Sequence, residues 1–218
     1  MAYIFFDLDG TLTDPALGIT NSILYALDKM GFPPEPRESL YRFIGPPLIP
    51  AFREFLGMTE AEAETALLRY REYFSTVGLF ENEPYPGIAD ELGSLREAGH
   101  TLAVATSKPE PFARRILEHF SLDGYFAGVF GATLDETRTA KAEVLRYAVE
   151  QLGGDGILAS SVMVGDRRHD IEGAKTVGMR SLGVLWGYGS REELTESGAD
   201  RIVGEVSRLC AVLGEMLS

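Results

Sequence analysis

Four consecutive apolar residues, Tyr3 to Phe6, run without polar alternation and stop at two acids, Asp7 and Asp9, set one residue apart. An unbroken apolar run of this length predicts a strand buried on both faces of a parallel sheet. Runs of the same kind recur as TLAVA (101–105), GVFGA (128–132), SVMVG (161–165) and RSLGVLW (180–186). Between them the spacing turns helical. Phe112, Ile116 and Phe120 form one stripe, and Val144, Leu145 and Ala148 another, on a helix expected over 139–152. Gly178 suits the C-cap of a helix that starts near Asp170, and a last helix is expected from about Glu205. Strands alternating with helices over this length predict a parallel sheet covered on both faces.

Residues 15–80 break that alternation. Asp14-Pro15 suits a helix start and Gly31 its stop, with Ile23, Leu24, Leu27 and Met30 on one face. Pro46-Pro47 opens a second helix that runs out at Gly57. Thr59 with Glu62 forms a capping box ahead of a third, which carries Ala66, Leu67, Tyr70 and Phe74. The expected architecture is α/β. A Rossmann-like parallel-sheet core, residues 1–14 and 81–218, has helices on both faces. A small all-α cap domain, residues 15–80, is inserted after the first strand and expected over the carboxyl edge of the sheet.

Composition narrows the function. The chain has 218 residues, room for such a core and a smaller companion. A net charge of −13 argues against nucleic-acid or anionic-membrane partners. No stretch approaches the roughly 18 apolar residues of a membrane span. The single cysteine, Cys210, is expected to be buried and inert. The chain starts directly on a strand, with no basic and apolar leader, so a cytoplasmic location is expected.

Chemistry collects where the apolar runs end. Asp7, Asp9 and Gly10 follow the first run; Thr106, Ser107 and Lys108 follow TLAVA; Asp166 follows VMVG, with Asp170 one helical turn on. Strand ends at one edge of an open α/β sheet are where ligands bind. Several carboxylates with open positions make a hard oxygen site suited to Mg²⁺. A lysine such as Lys141 and a hydroxyl opposite them would suit a phosphoryl group. Each residue also has a structural reading. DLDG can be a turn, Thr106 or Ser107 can cap the helix that begins near Pro109, and Asp166 and Asp170 can charge a helix start. Lys141 can be a solvated helix residue.

The sequence DLDGTLTD at 7–14, ATSK at 105–108, Lys141 and GDRRHD at 165–170 resemble, in order and spacing, the four motifs of the haloacid dehalogenase superfamily. FIGPPL (43–48), YPGI (85–88) and WGYGS (186–190) resemble its phosphoglycolate phosphatase and 5′-nucleotidase-like branch. The resemblance implies a Mg²⁺-dependent phosphomonoester hydrolase. Asp7 would be the nucleophile and a metal ligand. Asp9 would be the general acid and base, touching metal through its carbonyl. Thr106 and Lys141 would hold the phosphoryl oxygens, and Asp166 and Asp170 would serve the metal. Gly10, Ser107, Lys108 and, in the cap, Gly45 would line the substrate. The expected partner is a small phosphorylated metabolite, phosphoglycolate first, a nucleoside 5′-monophosphate or a broad set second, in a monomer or homodimer. A β-phosphoglucomutase-type phosphomutase shares the motifs and is the alternative activity.

Overall fold

The computed structural model describes residues 1–217. Strand β1 (Tyr3–Phe6) leads through β2 (Thr13–Asp14) to helices α1 (Ala16–Met30), α2 (Leu48–Leu56) and α3 (Glu60–Tyr73). Then come β3 (Glu83–Pro84), α4 (Ile88–Glu97), β4 (Thr101–Pro109), α5 (Glu110–His119) and β5 (Gly128–Ala132). The chain finishes with α6 (Lys141–Leu152), β6 (Ser161–Gly165), α7 (Arg168–Val177), β7 (Arg180–Val184), α8 (Arg191–Glu196), β8 (Arg201–Val203) and α9 (Leu209–Leu217). Two compact units result, Met1–Thr13 with the chain from Pro84 onward, and Asp14–Glu83. The chain crosses between them at β2 and β3, which pair as a two-stranded ribbon.

The first unit is built on a parallel sheet of order β5-β4-β1-β6-β7-β8. Phe5 stands level with Ala103 of β4 and Met163 of β6. These three, with Ala105 and Phe130, pack against Val144, Leu145 and Ala148 of α6 and Ala174 of α7. Ile4 and Phe6 alternate to the opposite face and are also fully buried. Burial on both faces is why β1 carries no polar residue. The order also reverses around β1: the chain builds outward through β4 and β5, then returns to β6 on the other flank. The carboxyl end of β1 is therefore a topological switch point, where the two outgoing connections diverge and leave a crevice.

The second unit, Asp14–Glu83, is helical. Thr59 and Glu62 make the expected capping box: Thr59 N donates to Glu62 at 2.8 Å and Glu62 N donates to Thr59 Oγ1 at 3.3 Å. Gly31 ends α1 in the left-handed conformation, φ 72°. Backbones approach closely between α1 and the π-helical turn Phe74–Gly78 that continues α3, where a Cβ on Gly18 would lie 1.9 Å from Gly78 O.

Some expectations need correction. Strand β4 runs to Pro109 rather than stopping at Ala105, so Thr106, Ser107 and Lys108 are strand residues. Neither Thr106 nor Ser107 caps α5, whose N-cap is Pro109 without a side-chain bond. Helix α9 begins at Leu209, later than expected. Cys210 is half-buried rather than buried; burial, then the nearby Glu91 carboxylate, push its thiol pKa up. Among the described residues, no helix is long and apolar enough to cross a membrane.

Candidate active site

Asp7 is still held by the sheet, its N–H donating to Val164 O at 2.9 Å. The chain then folds back at once: Leu12 N and Thr13 N both donate to Leu8 O, at 2.9 and 3.1 Å, and Gly10 N donates to Thr13 O at 2.8 Å. Gly10 sits at φ 81°, and a Cβ there would lie 2.3 Å from Asp166 Oδ2. Only glycine meets both conditions. The DLDG turn is thus real, and it is also what carries Asp7 and Asp9 to the switch point.

Three carboxylates converge beside it. Oxygens of Asp7, Asp166 and Asp170 lie within 4.8 Å of one another, and all three residues are buried. Asp166, which follows β6, is fully buried. It accepts from Thr11 Oγ1 at 3.3 Å and from Tyr188 N at 2.8 Å. Asp170 accepts from Arg167 N at 3.1 Å, so it caps the first turn of α7 as well as facing the cluster.

Lys141, the first residue of α6, is only 5% exposed. Its Nζ lies 2.9 Å from Asp7 Oδ1, 2.7 Å from Asp170 Oδ1 and 3.0 Å from Ala105 O. An ammonium has three N–H bonds, and three acceptors surround this one. The solvated-lysine reading does not survive. Burial works against its charge, but Asp170 and Asp7 more than offset that and raise its pKa.

Asp9 meets a different cation. Lys108 Nζ lies 2.9 Å from Asp9 Oδ1 and 2.7 Å from Oδ2, with both residues buried. Thr106 is buried on the same strand, its Oγ1 accepting from Lys108 N at 3.2 Å. Ser107, between them, is only half-buried, in keeping with the alternation of a strand. Gly45 belongs to the helical unit, at φ 103°.

Burial is the largest cause of the shifted titration of Asp9, Asp166 and Asp170. It raises Asp9, a rise that Lys108 opposes. Burial raises Asp166 further, with the charges of Asp170 and Asp7 adding to it. Asp170 is raised as well, by burial first, with Lys141 pulling the other way. Buried carboxylates this close together are stabilised by a cation among their oxygens.

Thr11, Tyr188 and Trp186 escape a motif reading that looks only for charged groups. Trp186 Nε1 donates to Thr11 O at 3.0 Å, which steadies the residue that donates to Asp166. The signal was the WGYGS stretch itself: a Cβ at Gly187 would lie 2.5 Å from Asp166, so its glycines mark a close approach.

Residues 4–184 match the family model described as haloacid dehalogenase-like hydrolase. A 5′-nucleotidase of Pseudomonas aeruginosa is 43% identical over 211 residues, 96% of this chain and 94% of that protein. A phosphoglycolate phosphatase of Agrobacterium fabrum is 31% identical, covering 97% and 92%. The crystal structure of a predicted phosphatase from Clostridium acetobutylicum superposes with a TM-score of 0.94 at 45% identity, covering 98% of each chain.

Proposed function

The chain belongs to the haloacid dehalogenase-like hydrolase family and is a phosphatase of it, and we propose that it hydrolyses small phosphomonoesters through a phosphoryl group carried on Asp7. The observation that carries this reading is the buried convergence of Asp7, Asp166 and Asp170 beside Lys141.

Mg²⁺ fits the donor set. Asp7, Asp166 and Asp170 offer carboxylate oxygens only, close enough for one ion, and burial penalises the charges of Asp166 and Asp170 until a cation arrives. When bound, the ion would supply charge compensation that lets an anionic nucleophile approach an anionic ester. The remaining work falls to side chains. An Asp7 oxygen attacks phosphorus and the bond from phosphorus to the ester oxygen breaks. Asp9 gives its proton to that departing oxygen, since an alkoxide leaves poorly unaided. Water then attacks the phosphoryl-Asp7, Asp9 takes a proton from it, and the bond between phosphorus and Asp7 breaks. Alcohol and inorganic phosphate leave, and Asp9 is protonated again. Thr106 holds a phosphoryl oxygen through its hydroxyl. Lys141 contributes charge beside Asp7, its Nζ donating to Ala105 O and lying within ion-pair distance of Asp7 and Asp170.

Nucleoside 5′-monophosphates are the first substrate class, supported by the 43% identical 5′-nucleotidase; phosphoglycolate is second, supported by the relative at 31%. Phosphate release from a panel of nucleotides, 2-phosphoglycolate and glucose phosphates, with Mg²⁺, tests this. The expected result is kcat/KM for at least one nucleotide about tenfold or more above 2-phosphoglycolate, a gap of ~1.4 kcal/mol in transition-state binding. Isomerisation of a glucose phosphate without release would overturn hydrolysis in favour of a mutase.

A further inference from the structure

The two acids of the DLDG turn are served by separate lysines from separate elements. Lys141 of α6 binds Asp7 and Asp170, while Lys108 of β4 binds Asp9. Lys108 grips both carboxylate oxygens, at 2.9 and 2.7 Å, which sets the rotation of the carboxyl group as well as its place. It lies where the register of β4 against β5 shifts, between Thr106 and Pro109, and its backbone N–H is tied to Thr106 Oγ1 at 3.2 Å.

Burying a lysine is costly unless it is paired, and Lys108 is only 8% exposed. Here the partner is Asp9.

Resting on the mechanism proposed above, we infer that Lys108 is the positioning residue of Asp9, and that it sets the aim of the proton-transferring carboxyl rather than binding the phosphoryl group. The assignment departs from its expected place among substrate-binding residues. It also predicts where its loss is felt: in the steps that need Asp9, and most where the leaving group needs a proton.

The test is a double-mutant cycle on the full-length protein with Mg²⁺, using Lys108→Met, Asp9→Asn and both together. Lys108→Met should lower kcat for an alkyl phosphate by about 10- to 100-fold, a share of the roughly 10²- to 10⁴-fold that acid–base catalysis supplies. KM should stay within about twofold. In the Asp9→Asn background the same change should cost nothing further, because the group it positions is gone. Lys108→Arg, which keeps the charge, should retain more activity than Lys108→Met, and it carries the cycle if the methionine variant melts below assay temperature. A KM raised for every ester with kcat kept would overturn the inference and return Lys108 to phosphate binding. So would losses that multiply in the double variant. An Asp9→Asn protein with normal turnover would instead overturn the mechanism beneath it, so the two failures are distinguishable.

Discussion

Asp7 and Asp9 are the same residue type two positions apart, and their surroundings differ. Asp7 points toward Lys141 and the other two acids; Asp9 points toward Lys108, with burial raising its pKa. Asp7→Asn should abolish turnover and leave no phosphoenzyme, because an amide cannot form the acyl phosphate. Asp9→Asn should behave differently with p-nitrophenyl phosphate, whose phenolate departs with little protonation. Rapid mixing should release a burst close to about one equivalent of p-nitrophenol per site before a slow phase, since hydrolysis still needs a base. Intact-mass spectrometry after an acid quench should find the matching phosphate. Neither burst nor added mass in a folded Asp9→Asn protein would rule Asp9 out as the base. Gly10→Ala belongs to the same scale. Its Cβ would displace the Asp166 carboxylate and strain a left-handed backbone, so both Mg²⁺ affinity by calorimetry and activity should fall sharply. Unchanged affinity would mean the turn can give way.

Among elements, the close approach of α1 to the turn at Gly78 decides a sign. Alanine beats glycine in a helix interior by about 1 kcal/mol, so Gly18→Ala ought to stabilise α1 on propensity alone. A Cβ 1.9 Å from a backbone oxygen overrides that, because the backbone must move, at about 1–3 kcal/mol for overpacking. The expected outcome is a lower midpoint in urea denaturation, and a higher one would show that the contact yields freely. The same distinction between local preference and packing explains which elements could be read in advance. β1, β5, β6 and β7 are continuous apolar runs and declare themselves. The last four residues of β4, TSKP, carry two polar side chains and a lysine, and they stay in the strand because β5 pairs with Thr106 and, past a shift of register, with Pro109. β8 has three residues, begins with exposed Arg201 and lies at the sheet edge, too short for any period.

Taken whole, the molecule stores unfavourable carboxylate charge at one place, and its stability should report it. Unfolded aspartates titrate near pH 3.9 (approximately). Burial raises Asp166 and Asp170 above that in the folded, metal-free state, Asp170 to about 6. A group whose folded pKa is raised contributes stability that is present below the unfolded value and lost as pH climbs through the folded one. Metal-free protein should therefore lose stability from about pH 4 upward through pH 6 and beyond. Mg²⁺ held by the same oxygens, as proposed, would compete with protons for them, so its stabilising effect should grow over that window. Melting temperatures with Mg²⁺ and with chelator should nearly coincide at pH 5 and differ by several degrees at pH 8. A gap that is equal at both pH values would mean that the ion binds elsewhere.

The sequence by itself determined the class of fold and the chemical kinds of group at the strand ends, because burial on two faces forces apolar runs and leaves polar residues only where those runs stop. It did not determine which acid meets which lysine. Lys108 reaches Asp9 across 99 positions, and Lys141 reaches Asp7 and Asp170 from a helix start. Those pairings depend on β1 lying between β4 and β6. Strand order is a property of non-local contacts, and apolar periodicity records only which way a side chain faces, never which strand lies beside it.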